Sequence, residues 1–279
     1  MHTPVLCEFV IKHFENIEGK KIIDCTLGEG GHTFEIAMRG AKVLAIDADN
    51  SQVERFVKNN AKNIADFKIK TVNSNYADVK IVAEKEGFIG CDGILFDLGL
   101  SMYQINFGEG FSYKAGHQPL HMVIDTMCKQ AGTAGAADVL AYKSESELKE
   151  IFEKYGEIMR ADVVANKIVN SRKNKRIEKV SDLTDALKGF SESEMSKVFQ
   201  ALRIFVNDET SKITNGLNGA WEILRNGGVM QIITFHSGED RVVKLWAREK
   251  GIKEVAKVIG RQVSDKSFER SAVLRVFKK

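Results

Sequence analysis

Lys21-Ile22-Ile23-Asp24-Cys25-Thr26-Leu27-Gly28-Glu29-Gly30-Gly31-His32-Thr33 decides the architecture of this chain. A short apolar run ends on an acid, breaks at glycines and passes into helical spacing over Thr33–Met38. That is the order of a buried strand, a sharp turn and a crossover helix. Working outward, apolar runs at Lys42–Asp47, Lys68–Val72, Gly93–Leu98 and Val229–Phe235 read as further parallel strands. Helical stretches at Asn50–Asn60 and Asp78–Lys85 alternate with them, which predicts an α/β fold on an open, doubly wound sheet. Two last strands are expected near Ile252–Ile259 and Ala272–Phe277. The rhythm fails between Leu98 and Val229, where about 130 residues intervene, too many for one crossover. A glycine-rich loop at Gly99–Gly135 is followed by helical patterns at Ser146–Lys154, Ala161–Ser171, Ser181–Leu187 and Met195–Val206. This predicts a core of residues 1–103 and 198–279, with a loop and an inserted helical subdomain over 104–197.

The glycine turn narrows the ligand. Gly28 and Gly30 let the backbone turn tightly and approach a bound molecule at a helix start. A dinucleotide fingerprint wants a third glycine three residues after Gly30, and Thr33 stands there, which disfavours a nicotinamide-dependent oxidoreductase. An acid four positions before the glycines is similar to the S-adenosylmethionine loop of Rossmann-type methyltransferases, whose ligand has no pyrophosphate to cradle. Asp47 closes the second strand, where a carboxylate suits the two hydroxyls of a ribose. The alternative for Asp47 is an ordinary helix cap, a job Asp49 or Asn50 can also do.

Composition sets the limits. With 43% hydrophobic and 28% charged residues among 279, the chain has the balance of a packed globular protein rather than a disordered one. No apolar stretch approaches the ~18 residues of a membrane span. Met1–Phe14 lacks the pattern of a secretory signal. Cys7, Cys25, Cys91 and Cys128 are scattered, so reduced thiols in a cytoplasm are expected and structural zinc is not. A net charge of +3 conceals a local +5 over Arg160–Val180 and +8 over Arg241–Lys279, which leaves the rest acidic. Segregated positive charge fits a polyanion, nucleic acid first.

Candidate reaction residues collect at strand ends. Asp97 leaves the fourth strand in Asp97-Leu98-Gly99-Leu100-Ser101, placed to hold a reacting amine or the end of a cofactor. Ser101 and Asp125 are the other candidate acceptors for that amine. The fifth strand delivers His236, placed to touch substrate or orient a neighbour, and Ser237 with Asp240 reads as a capping box. Gln200, Arg203 and Asn207 lie successive turns apart, as a polar ridge on one helix.

Together these pieces resemble the bacterial small-subunit ribosomal RNA cytosine N4-methyltransferase family, RsmH or MraW, over nearly the whole chain. The resemblance rests on His2-Thr3-Pro4-Val5-Leu6, Thr26–His32, Asp97–Ser101, Gly110-Phe111-Ser112 and Tyr155-Gly156-Glu157. It is strongest in Phe199–Glu209, Phe235–Arg241 and Arg270-Ser271-Ala272. It implies a Rossmann-type methyltransferase core with an inserted helical subdomain that recognises substrate. It implies cofactor contacts from Gly28, Gly30, Gly31, His32, Asp47, Tyr76, Asp97 and Gln104, with Tyr76 where the family has phenylalanine. Arg203, Asn207, His236 and Ser237 would face substrate, a cytidine of ribosomal RNA methylated on its exocyclic nitrogen, with no metal required. Ribosomal RNA or the small ribosomal subunit is the expected partner, with a homodimer left open. The substrate loop departs from the family: His121 replaces an acid, Val123 an arginine, Met102 a serine and Gly238 a leucine. A divergent paralogue with another substrate, or a non-catalytic ribosome-assembly factor, is the alternative these changes support.

Overall fold

The computed structural model describes residues 4–279, so His2 and Thr3 of the opening motif lie outside the described residues. Seven strands form one sheet: β1 (Lys21–Asp24), β2 (Lys42–Asp47), β3 (Ile69–Asn73), β4 (Cys91–Asp97), β5 (Leu224–Thr234), β6 (Glu254–Ile259) and β7 (Val273–Lys278). Their order is β3-β2-β1-β4-β5-β7-β6. The first five are parallel, and β7 lies antiparallel between β5 and β6. The chain winds from β1 to one side and restarts at β4 on the other. The carboxyl ends of β1 and β4 therefore flank the switch point where open α/β sheets bind ligands.

Strand periodicity places the core. Ile22, Val43, Ala45, Leu95 and Ile233 pack under helices Cys7–Phe14, Gly31–Ala37 and Asn50–Asp66. Their neighbours Ile23, Leu44, Ile46, Ile94, Phe96 and Ile232 pack on the opposite face with Val79, Val82, Ile213, Leu217, Val243 and Trp246. Adjacent residues point to opposite faces and both faces are covered, so the strands read as continuous apolar runs.

Two compact units result, one running to Gly99 and resuming at Thr210, the other Leu100–Glu209. Residues 100–103 and 198–209, which the sequence reading places in the core, fall in the second unit. The reason is local: Ser101 caps helix Met102–Phe107, and Val198, Phe199, Ala201 and Leu202 pack with Leu148, Phe152 and Val164. Helices Glu145–Gly156 and Glu192–Val206 each start with a capping box, Ser144 with Glu147 and Ser191 with Glu194. Gly156 lets the first of these approach the second, because a Cβ there would stand 3.0 Å from the Lys197 carbonyl. Short helices Met102–Phe107 and Thr126–Gln130 interrupt the stretch read from sequence as a plain loop.

Candidate active site

Asp24, wholly buried at the end of β1, organises the turn above it. Its Oδ1 accepts the Thr26 amide at 3.1 Å and its Oδ2 the Thr33 hydroxyl at 2.7 Å. Burial raises its pKa to about 6 against the pull of these threonines. The hydroxyl at the position of the missing third glycine thus ties helix Gly31–Ala37 to the strand. Thr26 also receives the Asp97 amide on its Oγ1 at 2.7 Å, which joins the β1 turn to the tip of β4. Sequence reasoning missed this bridge; a hydroxyl two residues past a buried acid was its only signal.

The turn needs its glycines. Gly30 adopts φ +81°, and a Cβ there would stand 2.0 Å from Phe56 Cε2. Gly28, at φ +50°, donates its amide to Asp47 Oδ2 at 2.8 Å. Asp47 Oδ1 accepts the Asp49 amide at 2.9 Å, while Asp49 itself caps helix Asn50–Asp66 through the Ser51 amide. Asp47 is therefore not the cap, and each of its oxygens keeps a second lone pair. Burial first, then the charges of Asp49 and Asp24, push its pKa up to about 7 although two amides hold the charged form.

His32 and Asp97 face each other across this turn, with Nε2 3.6 Å from Oδ2. Neither ring nitrogen of His32, nor Oδ1 of Asp97, makes a hydrogen bond of ordinary geometry among the described residues. Burial lowers the His32 pKa to about 4, the Val5 backbone opposing weakly, so the imidazole is neutral at physiological pH. Burial, then the charges of Asp24 and Glu239, hold the Asp97 carboxyl well above the usual range. Tyr76 starts the turn after β3, packed edge-on against Phe96 with ring centres 6.0 Å apart. Orphaned polar atoms, a turn that excludes side chains, and carboxylates clustered at one sheet edge are groups that could hold a cationic nucleoside.

At the start of helix Ser237–Glu249 the structure corrects the expected cap. His236 is the N-cap, its Nδ1 accepting the Glu239 amide at 3.3 Å, and its Nε2 lies 3.0 Å from Glu239 Oε1. Glu239 Oε2 accepts the Phe235 amide at 2.7 Å, so this buried acid fixes both the strand end and the ring. Asp240 turns instead to Arg275 on β7. Ser237 is exposed in the first turn. The signal for His236 was the acid three residues on.

In the second unit, Ser101 and Gln104 close a reciprocal capping box: Ser101 Oγ accepts the Gln104 amide at 3.1 Å, and Gln104 Oε1 accepts the Ser101 amide at 3.0 Å. Asp125 caps helix Thr126–Gln130 through the Met127 and Cys128 amides. Arg203 forks onto both oxygens of Glu209 at 2.7 and 2.9 Å. Asn207 accepts the Ile124 amide at 2.8 Å and donates to the Met122 carbonyl at 2.7 Å and the Arg203 carbonyl at 2.9 Å. The expected polar ridge is thus engaged inside its own unit, where it fixes the segment before Asp125. Met122 sits there at φ +60°, a conformation costly for a side chain, and Val123 is buried. Asn207→Ala is expected to cost about 3 kcal/mol of stability, because it orphans a buried amide and carbonyl. Urea unfolding of the variant checks this, and a loss under about 1 kcal/mol would contradict it.

The basic stretch at Arg160–Lys179 is partly engaged as well. Arg172 donates to the carbonyls of Leu140 and Lys143, Lys175 pairs with Asp182 and Arg176 with Asp138. Arg160 and Lys167 flank the Phe190 ring at 5.3 and 5.6 Å, and Lys167 Nζ also donates to the Lys188 carbonyl at 3.1 Å.

A seven-stranded sheet with one antiparallel strand slotted before its edge, and a glycine turn and two strand-tip acids at its switch point, defines a Rossmann-type methyltransferase dependent on S-adenosylmethionine. Comparison with known proteins carries this further. The profile of the MraW methylase family matches residues 1–279, and the chain belongs to that family. It is 32% identical to the ribosomal RNA small subunit methyltransferase H of Persephonella marina, covering 100% of this chain and 99% of that one. The Carboxydothermus hydrogenoformans protein of the same name is 38% identical, over 88% of this chain and 80% of that one. Among solved structures, a candidate rRNA methylase from Clostridium thermocellum covers 100% of this chain and 99% of its own at TM-score 0.50 and 10% identity, a likeness of fold.

Proposed function

We propose that this chain methylates the exocyclic N4 amine of a cytidine in small-subunit ribosomal RNA. Two of its relatives are named as methyltransferases of that RNA, and the acidic, cation-seeking edge formed by Asp24, Asp47, Asp97 and Glu239 carries the reading. When bound, S-adenosylmethionine supplies an electrophilic methyl on a sulfonium. Asp47 accepts the ribose hydroxyls on its remaining lone pairs, and Tyr76 offers an aromatic face to adenine. Gly28, Gly30 and Gly31 admit the ligand to the backbone, with His32 and Asp97 as its other contacts on the sheet unit.

The cytosine amine is a weak nucleophile, its lone pair delocalised into the ring. Asp97 accepts a hydrogen bond from that amine as the nitrogen pyramidalises, a contact strongest at the transition state. Ser101 and Asp125 are the secondary candidates. Arg203, Asn207 and His236 act by positioning, and Ser237 remains a candidate substrate contact. The helical unit recognises RNA, with Arg160 and Lys167 beside Phe190 meeting the phosphate backbone. Work on ribosomal RNA or small-subunit precursors goes with a cytoplasmic location, and no helix among the described residues is long and apolar enough to cross a membrane.

The Asp47 carboxyl links cofactor affinity to pH. Its folded-state pKa of about 7 lies above the ordinary 3.8, so the empty protein takes up a proton there as pH falls through 7. The protonated form is the poorer acceptor, and S-adenosylhomocysteine affinity is expected to weaken between pH 8 and 6, by at most about tenfold per unit below 7. Calorimetry on wild type and Asp47→Asn checks this: the variant is flat across the window, and a flat wild-type profile overturns the assignment. The function itself is tested by nucleoside mass spectrometry of ribosomal RNA from cells with and without the protein. Loss of N4-methylcytidine from the small subunit supports it, and an unchanged nucleoside set defeats it.

A further inference from the structure

The second basic zone, at the carboxyl end of the chain, has no part in the site so far. Its loop between β6 and β7 is framed tightly. Gly260 donates its amide to the Ala272 carbonyl at 2.8 Å and accepts the Ser264 amide at 2.9 Å. A Cβ on Gly260 would stand 1.7 Å from the Glu269 carbonyl oxygen, so the two ends of the loop lie backbone to backbone. The buried Glu269 side chain accepts the Leu6 amide at 3.1 Å and lies 3.6 Å from Lys266 Nζ. The frame is therefore held from below.

Arg261 and Arg270 each follow a residue at that contact. Both are exposed, and neither guanidinium has an ion-pair or hydrogen-bond partner among the described residues. The acids of the loop do not meet them: Glu269 is engaged with Leu6 and Lys266, and Asp265 forms no ion pair among the described residues. Like charges on adjoining backbone repel, and a bridging phosphate would reverse that with charge-assisted bonds to both guanidiniums. Phe268, 38% exposed, stands between them in sequence with Lys266 Nζ 5.9 Å from its ring centre. An exposed ring beside cations is the make-up of a single-strand stacking platform.

Sheet register fixes where this lies. Asp97 pairs with Ile233, Thr234 with Val273, and Val273 with Ile259. The loop thus rises from the level of Asp97 at the carboxyl edge, two to three strand spacings away, about 9–14 Å. We propose that Arg261, Arg270 and Phe268 form a docking surface on the core for single-stranded RNA flanking the target nucleotide, the arginines clamping a phosphate and the ring stacking a base. The proposal rests on the RNA reading above and adds to it a surface on the sheet unit.

The test is binding of small-subunit ribosomal RNA from cells lacking the protein, over a salt series, by wild type, Arg261→Ala/Arg270→Ala, the corresponding double lysine variant, and Phe268→Ala. S-adenosylhomocysteine affinity is measured alongside as a control on folding. The double alanine variant is expected to bind RNA at least tenfold more weakly, with a log–log salt slope shallower by about 0.7, the loss of one single-strand phosphate contact. The double lysine variant keeps the slope, and Phe268→Ala loses affinity without changing it. Cofactor affinity stays at the wild-type value in all three. Wild-type RNA binding with an unaltered slope in the double alanine variant overturns the clamp alone. A wild type that neither binds nor methylates the RNA overturns the RNA reading, and the clamp with it.

Discussion

Asp97→Asn is expected to lower kcat/KM for methyl transfer by about 10² to 10⁴, the range for removing a group that acts in the transition state. The same change should leave the protein as stable as wild type or more so. The Asp97 carboxyl is buried beside two other acids, Asp24 and Glu239, and its Oδ1 has no hydrogen-bond partner among the described residues. A neutral amide of equal size removes the electrostatic conflict while its backbone amide keeps the bond to Thr26. Activity lost while stability is kept or gained is the mark of a group held under tension for function. Steady-state kinetics with single-turnover controls, together with thermal unfolding, decide it. Activity within threefold of wild type would move the acceptor role to Ser101 or Asp125.

A second large effect, on stability, is expected at Arg275. Its guanidinium, 6% exposed in the middle of β7, forks onto Asp240 at 2.7 and 3.2 Å and also meets Glu254. Arg275→Met is expected to cost about 3 kcal/mol, because it strands the largely buried Asp240 carboxylate, to which Lys244 is the other ion-pair partner among the described residues. Arg275→Lys recovers only part of this, since an ammonium cannot form the fork. Burial alone would raise the Asp240 pKa, and the Arg275 and Lys244 contacts more than offset it, leaving the carboxyl below its ordinary 3.8. The stabilisation is thus present above pH 3.8 and lost as pH falls through the depressed folded value. Wild-type and variant unfolding free energies should converge in strong acid, and a constant gap across that range would show that packing, not charge, is what Arg275 supplies.

Local chemistry was legible in the sequence, and pairing across the chain was not. Gly28, Gly30, Asp47 and Asp97 stand out because a tight turn and a strand tip each favour a residue type at a fixed offset. Their meeting at one edge followed from the alternation of strands and helices. The slot of β7 between β5 and β6 had no such signal, since an apolar run says nothing about its neighbours. Helix spacing put Arg203 and Asn207 on one stripe but could not say what that stripe faced. Glu209 and the 122–124 backbone turned out to occupy them. Ser237 with Asp240 matched the capping pattern as well as His236 with Glu239 does. The competition was settled by Arg275, 35 residues away, which draws Asp240 off.

The pairing of β4 with β5 has a consequence for how the chain assembles. Asp97 and Leu224, ends of adjacent strands, are separated by the whole helical unit and the helix that follows it. Closing so long a segment as free polymer costs about 2 kcal/mol more than closing one of a dozen residues. A helical unit that condenses early on its own local contacts would shorten the effective span. The half-sheet of β1 to β4 would then wait for β5, and exposed apolar edge would be the state chaperones meet. Mutations that slow the helical unit should therefore show up first as aggregation during synthesis, before any change in the finished enzyme.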